Sequence, residues 1–549
     1  MGRDGLRKLE RFLSKRACRL ACDIIALAFF ALVILLPTIF LFTYVALRWD
    51  EVRYFVFENP VAGNMRWHRM LRAIGLSFEI AALATTIDLV MGIPVALLLA
   101  RYEFRGKRVL DSLVDLPLGV PSAALGFSLF LFWGTTDGLD LLTRGFWLIV
   151  LTHVAFTYPY IVRTSVGVIE GVDVTYEHAS RTLGAPSFTT FRTVTAPLSK
   201  AGIVAGTIMA FTRSLGETGA TMVVAGIAET APLAIVSMHQ RRLVGPAAFL
   251  SMVLVLTALA MLAVIRTLSE KVGLPIKKVW PSFERKLSGR EPRLIRNILS
   301  LSSFAFLILI PSCFSLPYVI KWWSPAGRPE KGVFYQVFAA PDEKWRALLE
   351  ATMTSFQVAA LATVINLVFG LAMAVVIVRR NWGRICALLD ALTDIPLVVP
   401  TAALGFSVYL FWGPRGLGLV GTGFWLIVLT HVAFTYPYVV RTMVAALKGL
   451  DPSLEHAART LGAPPFTVFR TVVLPMLGSG LLASAILAFT RSLSETGATM
   501  VVMGTARTVP ILVVVWSEAS RQAAAFASVL LMAVCYGLLL ALRYVTRGR

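Results

Sequence analysis

Tyr176–Pro197 reads YEHASRTLGAPSFTTFRTVTAP, and Leu454–Pro475 reads LEHAARTLGAPPFTVFRTVVLP. Both stretches are polar islands between long apolar runs, and in both a helical pattern stops at a glycine, Gly184 or Gly462. Glycine ends helices readily because it accepts the left-handed conformation that closes the last turn. Each island is therefore predicted to form a helix, a tight Gly-Ala-Pro turn and a short second helix that ends near a proline.

The apolar runs around the islands indicate the class of protein. The chain has 549 residues, of which 57% are hydrophobic and 15% charged. Soluble domains are less apolar, and about 20 apolar residues are enough for a helix to cross a bilayer. The formal net charge of +21 fits basic residues at the cytoplasmic ends of membrane spans, so membrane lipid is the expected partner and nucleic acid is not. The five cysteines form no CxxC or Cys/His cluster, which predicts neither a disulfide framework nor a metal site.

Twelve stretches are predicted to span the membrane, which makes the chain an all-α polytopic membrane protein. The densest basic clusters fall where cytoplasmic ends are expected, so both termini are predicted to be cytoplasmic in a plasma-membrane protein. The apolar run after the basic N-terminus is too long for a signal-peptide core and is interpreted as a retained first span. The predicted spans lie near Cys22–Leu47, Ala73–Ala100, Leu110–Trp133, Gly145–Val162, Ala201–Ala225, Ala247–Ile265, Asn297–Ile320, Ala351–Val378, Leu388–Trp412, Gly423–Val440, Gly478–Gly504 and Ala524–Leu542.

The twelve spans form an internal repeat. GFWLIVLTHVAFTYPY at Gly145–Tyr160 recurs unchanged at Gly423–Tyr438, and AFTRSLGETGATMVV at Ala210–Val224 recurs at Ala488–Val502 with one difference. Since six spans return the chain to the same side, the two repeats should be parallel and related by a pseudo-twofold axis along the membrane normal. The predicted domains are residues 1–265, a basic cytoplasmic linker at 266–296, and residues 297–549.

The islands resemble the EAA loop of binding-protein-dependent ATP-binding cassette (ABC) importer permeases, in which an acidic-Ala-Ala stretch leads to a glycine and later a proline. The matching letters are His178-Ala179-Ser180 and His456-Ala457-Ala458, with the acidic residue one place earlier than in the family pattern. That shift is expected to alter a polar contact with a partner protein. The residues that the resemblance assigns to ATPase coupling are Glu177, His178, Ala179, Gly184, Pro197, Glu455, His456, Ala457, Gly462 and Pro475.

The resemblance implies partners that supply what the chain lacks. The sequence contains no G-x-x-x-x-G-K-[ST] loop, so the chain cannot hold ATP phosphates in a P-loop of its own. ATP and Mg²⁺ would be used by separate ATPase subunits, two copies with one per island, and an extracytoplasmic solute-binding protein would deliver the substrate. We expect no cofactor on this chain and no enzymatic activity of its own. A secondary transporter with parallel repeats is the alternative class, but its islands would have no partner.

Two pairs of charges lie inside the fifth and eleventh predicted spans. Arg213 and Glu217, like Arg491 and Glu495, are four residues apart and so share one helix face. Charges at that depth cost at least ~2.5 kcal/mol each unless they face water or the protein interior. We interpret them as part of a translocation pathway or gate, with a buried structural ion pair as the alternative. The residues assigned to this pathway are Arg213, Glu217, Gly219, Arg491, Glu495 and Gly497.

Two further predictions concern the mid-span histidines and the substrate. His153 and His431 are interpreted as hydrogen-bonded packing residues rather than ligands. The RSLGETGAT stretch resembles permeases for molybdate, tungstate and sulfate, whereas the fusion of two six-span halves resembles ferric-iron and thiamine permeases. Because an arginine in each half is compatible with an anion, we expect an inorganic oxyanion, with ferric iron and thiamine as alternatives.

Overall fold

The computed structural model describes residues 10, 12–60, 63–271 and 281–547. These residues form helices and no β-strand. Nine of the described helices are long and apolar enough to cross a membrane, or twelve if each of three bent pairs counts as one span. The chain is thus an all-α, multi-pass membrane protein, as its sequence predicts. Residues 272–280 of the predicted linker lie outside the described residues.

The helices follow one another with short connections. Those of the first half are Arg16–Leu47, Trp49–Arg53, Gly63–Arg101, Lys107–Val114, Leu116–Gly119, Ser122–Trp133, Phe146–Glu170, Val174–Thr182, Ser187–Gly216, Gly219–Val224, Ala231–Gln240 and Val244–Lys271. From the linker onward they are Pro281–Leu287, Arg290–Cys313, Ser315–Lys321, Lys344–Arg379, Arg384–Leu392, Ile395–Val398, Thr401–Trp412, Phe424–Lys448, Pro452–Thr460, Pro465–Met476, Gly478–Leu493, Gly497–Val502, Val509–Ala519 and Arg521–Arg547.

The third and ninth predicted spans are each broken into two helices, as the prolines in them predict. Lys107–Gly119 and Ser122–Trp133 are bent by 107° relative to each other, and the second half repeats the same angle. The bend falls at Pro121 in one half and Pro400 in the other, where proline removes a backbone donor. Arginines of the neighbouring helices hold the bent arms by pairing with two aspartates each, Arg163 with Asp111 and Asp115, and Arg441 with Asp390 and Asp394.

The fifth predicted span also differs from its prediction, because its helix starts inside the polar island. Ser187–Gly216 is one continuous helix that carries Pro197 within it, so the predicted short helix ending near this proline is wrong. A π turn at Phe191–Thr195 precedes the proline and widens the helix where an ordinary backbone hydrogen bond is lost. In the second half the short helix does end beside its proline, with a 67° bend before Gly478, where the first half has Lys200.

The chain divides into two compact units, and each unit combines most of one sequence half with the first span of the other. One unit consists of Met1–Val52, Arg346–Ile511 and Ala533–Arg549, and the other of Arg53–Trp345 and Leu512–Met532. In the first of these units Phe30 stacks on Tyr436, with ring centroids 5.8 Å apart. In the second, Phe304 stacks on Tyr158 at 5.2 Å. The predicted boundaries at 1–265 and 297–549 describe the sequence repeat and stay a prediction for the domains.

Candidate functional site

Each polar island contains a short helix, which we name the first loop helix (Val174–Thr182) and the second loop helix (Pro452–Thr460). An aspartate caps each start, because Asp173 Oδ1 and Asp451 Oδ1 accept a hydrogen bond from the backbone N–H two residues on, at 2.9 Å in both cases. Hydrogen bonds from Thr175 and Ser453 lower the pKa of these two carboxyl groups from the ordinary value of an aspartate. Both caps therefore hold ionised side chains at the positive end of a helix.

Both loop helices end at a left-handed glycine, as predicted. Gly184 and Gly462 each have a φ of +83°. An added Cβ would find no heavy atom within 4 Å at either position. Glycine is thus required here for the backbone conformation and not for space. The predicted order of helix, glycine turn and helix is confirmed in both halves.

The predicted coupling residues divide into an exposed set and an inward set. The turns also expose two leucines that the prediction omitted, Leu183 and Leu461, each 89% exposed. Apolar side chains this exposed at the same place in both halves mark a surface suited to a partner. The exposed predicted residues are His178, Ala179, Gly184, His456, Ala457, Gly462 and Pro475.

Glu177 belongs to the inward set and is held by the end of a long span. Arg101, the last residue of Gly63–Arg101, donates from Nε to Glu177 Oε1 at 2.9 Å and from Nη2 to the Val172 carbonyl oxygen at 2.8 Å. The Thr195 hydroxyl donates to the same carboxylate oxygen at 3.0 Å. The one-place shift of the acidic residue from the EAA pattern therefore serves an internal ion pair rather than the exposed face.

We name the pairing of Arg101 with Glu177 the first latch, and the second loop helix repeats it with one addition. Arg379 pairs with Glu455 at 2.7 Å and also donates to the Leu447 carbonyl oxygen at 3.2 Å. Arg459, one turn along the loop helix, lies 3.7 Å from the other oxygen of Glu455. Each latch thus ties a loop helix to the end of a span, and the paired arginine and glutamate are 76 residues apart in sequence.

A second contact, which the sequence analysis missed, clasps the helix after the first loop helix. Ser288 Oγ accepts from the Phe188 N–H at 2.9 Å, and Glu284 accepts from the Thr189 hydroxyl at 2.5 Å. Glu284 also pairs with Arg192 at 2.9 Å. These side chains cap the N-terminus of Ser187–Gly216 from a different helix, so they satisfy donors that a helix start leaves open. We name Glu284 and Ser288 the first clasp.

The second clasp is formed by Glu10 and Ser14 on the second island. Ser14 Oγ accepts from the Phe466 N–H at 3.1 Å, Glu10 accepts from the Thr467 hydroxyl at 3.0 Å, and Glu10 pairs with Arg470 at 2.5 Å. The sequence carries a signal for both clasps, ERFLS at 10–14 and ERKLS at 284–288. This motif repeats after 274 positions (284 − 10), whereas the islands repeat after 278 (455 − 177).

The predicted pathway residues lie at breaks in the helices rather than on one continuous helix. The helix that carries Arg213 ends at Gly216, and a new helix begins at Gly219. Glu217 lies in the break, 3% exposed, and its Oε1 accepts from the Ala220 N–H at 3.1 Å while its Oε2 pairs with Arg213 at 2.9 Å. The carboxylate therefore caps the new helix and pairs with the arginine at the same time.

The second break has the same cap, and its arginine also lies over a phenylalanine, as Arg213 lies over Phe156 at 5.4 Å. Glu495 Oε1 accepts from the Ala498 N–H at 3.0 Å. Arg491 donates to the Tyr438 hydroxyl at 3.2 Å and to Ser494 Oγ at 3.3 Å, and its guanidinium lies 4.8 Å from the centre of the Phe434 ring. Gly497, like Gly219, is the first residue of the capped helix.

A histidine bridges each break. His153 Nδ1 is 2.7 Å from Ser214 Oγ before the break, and its Nε2 is 3.0 Å from Thr221 Oγ1 after it. His431 makes the same two contacts in the second half, at 2.7 and 2.8 Å. The prediction that both histidines are hydrogen-bonded packing residues is confirmed. Across the described ranges, no group of three or more His, Cys, Asp or Glu residues could hold a metal ion.

Comparisons with known proteins match the two repeats to one family. The model of the binding-protein-dependent transport system inner membrane component matches residues 92–273 and again residues 366–547. The chain is 37% identical over 182 residues to the molybdenum transport system permease protein ModB of Escherichia coli strain K12. The aligned residues make up 31% of this chain and 80% of the relative. The chain is 44% identical over 153 residues to the sulfate transport system permease protein CysT of Salmonella typhimurium, covering 26% of this chain and 54% of the relative.

A probable molybdenum ABC transporter permease protein of Haloferax volcanii is 36% identical over 170 residues, which are 30% of this chain and 63% of the relative. The double match of the family model covers more than half of the chain and includes both islands and both helix breaks. This chain therefore belongs to the binding-protein-dependent transport system inner membrane components, as an ABC importer permease subunit with two copies of the family domain in one chain.

Proposed function

We propose that this permease imports an inorganic oxyanion of the molybdate, tungstate or sulfate class, driven by two ATPase subunits that dock on the loop helices. The observation that carries the docking proposal is the pair of exposed loop helices, each ending in an 89% exposed leucine before a left-handed glycine. Relatives named for molybdenum and sulfate transport support the substrate class.

The proposal includes partner proteins on both sides of the membrane. Each ATPase subunit would contact one exposed loop-helix surface, and ATP and Mg²⁺ would be used by that subunit. A solute-binding protein would deliver the oxyanion to the extracytoplasmic side. The islands and both termini would then be cytoplasmic, which agrees with the concentration of basic residues near them.

The helix breaks are proposed as part of the translocation pathway. A broken helix inside a membrane is tolerated where it is buried in protein or lines a cavity. Arg213 and Arg491 supply one cation per break, while the glutamates hold the backbone of each break in place. A guanidinium recognises oxyanions through planar paired donors, which favours this substrate class over ferric iron.

The test of docking uses the two glycines. Gly184→Val and Gly462→Val force a residue with a Cβ into the left-handed region at a cost of roughly 1–2 kcal/mol, without any clash. We expect each variant to insert normally but to co-purify with less ATPase. Gly167→Val is the matched control, because this glycine also has open space around it but lies within an ordinary helix.

Two outcomes would contradict the proposal. Normal ATPase association of both left-handed variants would mean that the loop helices are connectors. Uptake of molybdate into proteoliposomes by this chain alone, driven by an ion gradient, would indicate a secondary transporter. Uptake assays with molybdate, sulfate, ferric iron and thiamine on the full complex then decide the substrate class.

A further inference from the structure

We propose that a groove beside the first loop helix binds an anionic phospholipid. The groove has a volume of about 570 Å³ and lies between the end of Gly63–Arg101, the first loop helix and the start of Arg290–Cys313. It therefore opens where a membrane-crossing helix meets the polar island.

One wall of the groove is apolar. Val90, Ile93 and Leu97 recur every three or four residues along Gly63–Arg101, so they form one stripe on this helix. Val90 is 69% exposed although it lies well inside a span. An apolar stripe exposed on a membrane-crossing helix faces hydrocarbon, which makes this wall suited to an acyl chain.

The rim of the groove is basic. Arg293 and Arg296 lie three residues apart, on one face of their helix, and Arg181 projects from the first loop helix. Arg293 donates to the Gly289 carbonyl oxygen at 3.1 Å and Arg296 to the Asn297 side chain at 2.9 Å. Within the part of the chain that the structure describes, none of these three arginines pairs with a carboxylate.

The one carboxylate that lines the groove, that of Glu177, does not reduce the positive charge of the rim. Glu177 is already bound by Arg101 at 2.9 Å, so the two charges cancel. Three cations remain above an apolar wall, which complements a ligand with an anionic head and an apolar tail. A free phosphate would leave the apolar wall uncovered, and an acidic protein surface would not fill it, so a phospholipid fits best.

The other unit differs at the same positions. There Cys22 replaces Arg296, Asp23 replaces Asn297 and Arg380 replaces Tyr102. Arg380 pairs with Asp23, with separations of 2.8 and 3.0 Å. Arg296 thus has no basic counterpart there, and the additional cation, Arg380, is neutralised by Asp23. We therefore assign the lipid site to the unit that contains the first loop helix.

The experiment measures lipid retention by the purified full-length chain with native mass spectrometry after incubation with dioleoyl phosphatidylglycerol. We expect Arg293→Gln/Arg296→Gln to bind this lipid more weakly, by about fivefold per arginine removed. Arg285→Gln/Lys286→Gln is the matched control, since it removes two exposed cations from the adjacent helix outside the groove. Phosphatidylcholine should bind all variants alike.

Three results would overturn the proposal. Equal phosphatidylglycerol retention by the groove variant and the control would show that the arginines bind no headgroup. Displacement of the lipid by millimolar glycerol phosphate would indicate a site for free phosphate. Unchanged lipid retention with lost ATPase association would assign the arginines to the ATPase. If the double glutamine variant does not fold, Val90→Asp at the exposed wall should lower phosphatidylglycerol retention, and no change there would equally contradict the site.

Discussion

The two loop helices have the same backbone and the same latch, but they differ in what surrounds them. Both end at a glycine with φ +83°, and both hold their glutamate by an arginine at the end of a long span. Beside the first loop helix arginines are left without carboxylate partners, whereas beside the second Arg380 is paired with Asp23. Features found twice serve the geometry that both halves need, and features found once point to a role of one half.

The largest expected effect concerns the latch of the first loop helix. Arg101→Met leaves Glu177 as an unpaired charge, with both side chains at most 13% exposed, and should destabilise the purified chain by about 3 kcal/mol. Arg101→Met combined with Glu177→Gln should recover most of this loss. Thermal unfolding of the purified chain measures both.

The same substitution in the second half sharpens the comparison. Arg379→Met should cost less than Arg101→Met, because Arg459 lies 3.7 Å from Glu455 and offers a second cation. Equal losses in the two halves would show that this additional arginine contributes nothing, and the described difference between the latches would have no energetic consequence.

The clasps give the next largest effect. Glu284→Ala removes two acceptors that bind Thr189 and Arg192, and should cost about 2 kcal/mol of local stability. Hydrogen exchange over residues 187–193 should rise accordingly. Glu10→Ala should have a smaller effect on residues 465–471, since its partner Arg470 is more exposed than Arg192. A larger effect of Glu10→Ala would contradict this ranking.

The charged residues at the helix breaks could serve structure or transport, and substitutions at the first break distinguish these two roles. Glu217→Gln keeps an oxygen that can accept from the Ala220 N–H but leaves Arg213 without its carboxylate, so we expect it to be less stable than the parent chain. Arg213→Met combined with Glu217→Gln should fold, but its uptake should fall by about tenfold because the cation met by the substrate is absent. Thermal stability and substrate uptake of the assembled complex are measured side by side. Full uptake by the double variant would identify a structural ion pair.

The sequence predicts those features that depend on local pattern. Apolar runs indicate the spans, and glycine in a repeated island predicts the left-handed turns at Gly184 and Gly462. It does not predict where Glu177 points, because its partner Arg101 is 76 residues away and the pairing exists only in three dimensions. The glycines beside Glu217, Gly216 and Gly219, allow a break in the helix there. The sequence does not predict that Glu217 caps the helix after the break, because that contact depends on the three-dimensional backbone.

The sequence contains only a partial signal for the clasps and for the exchanged first spans. ERFLS and ERKLS are visible in the sequence, but their spacing differs by four residues from that of the islands, so they fall out of register with the main repeat. Their binding site could not be predicted, because the first clasp lies in the linker, 95 residues from Thr189, and the second lies in the other sequence half, 457 residues from Thr467. Such an exchange follows only from long-range packing.

The central claim is that the exposed loop-helix surfaces are where the ATPase subunits bind. Leu183→Asp combined with Leu461→Asp places a charge on the two most exposed leucines of these surfaces without disturbing a buried contact. Ile227→Asp is the control, because this isoleucine is equally accessible in a loop between two other helices. Co-purification of the ATPase with each variant should be lost for the leucine variant and retained for the control. Equal recovery of ATPase with both would contradict the account.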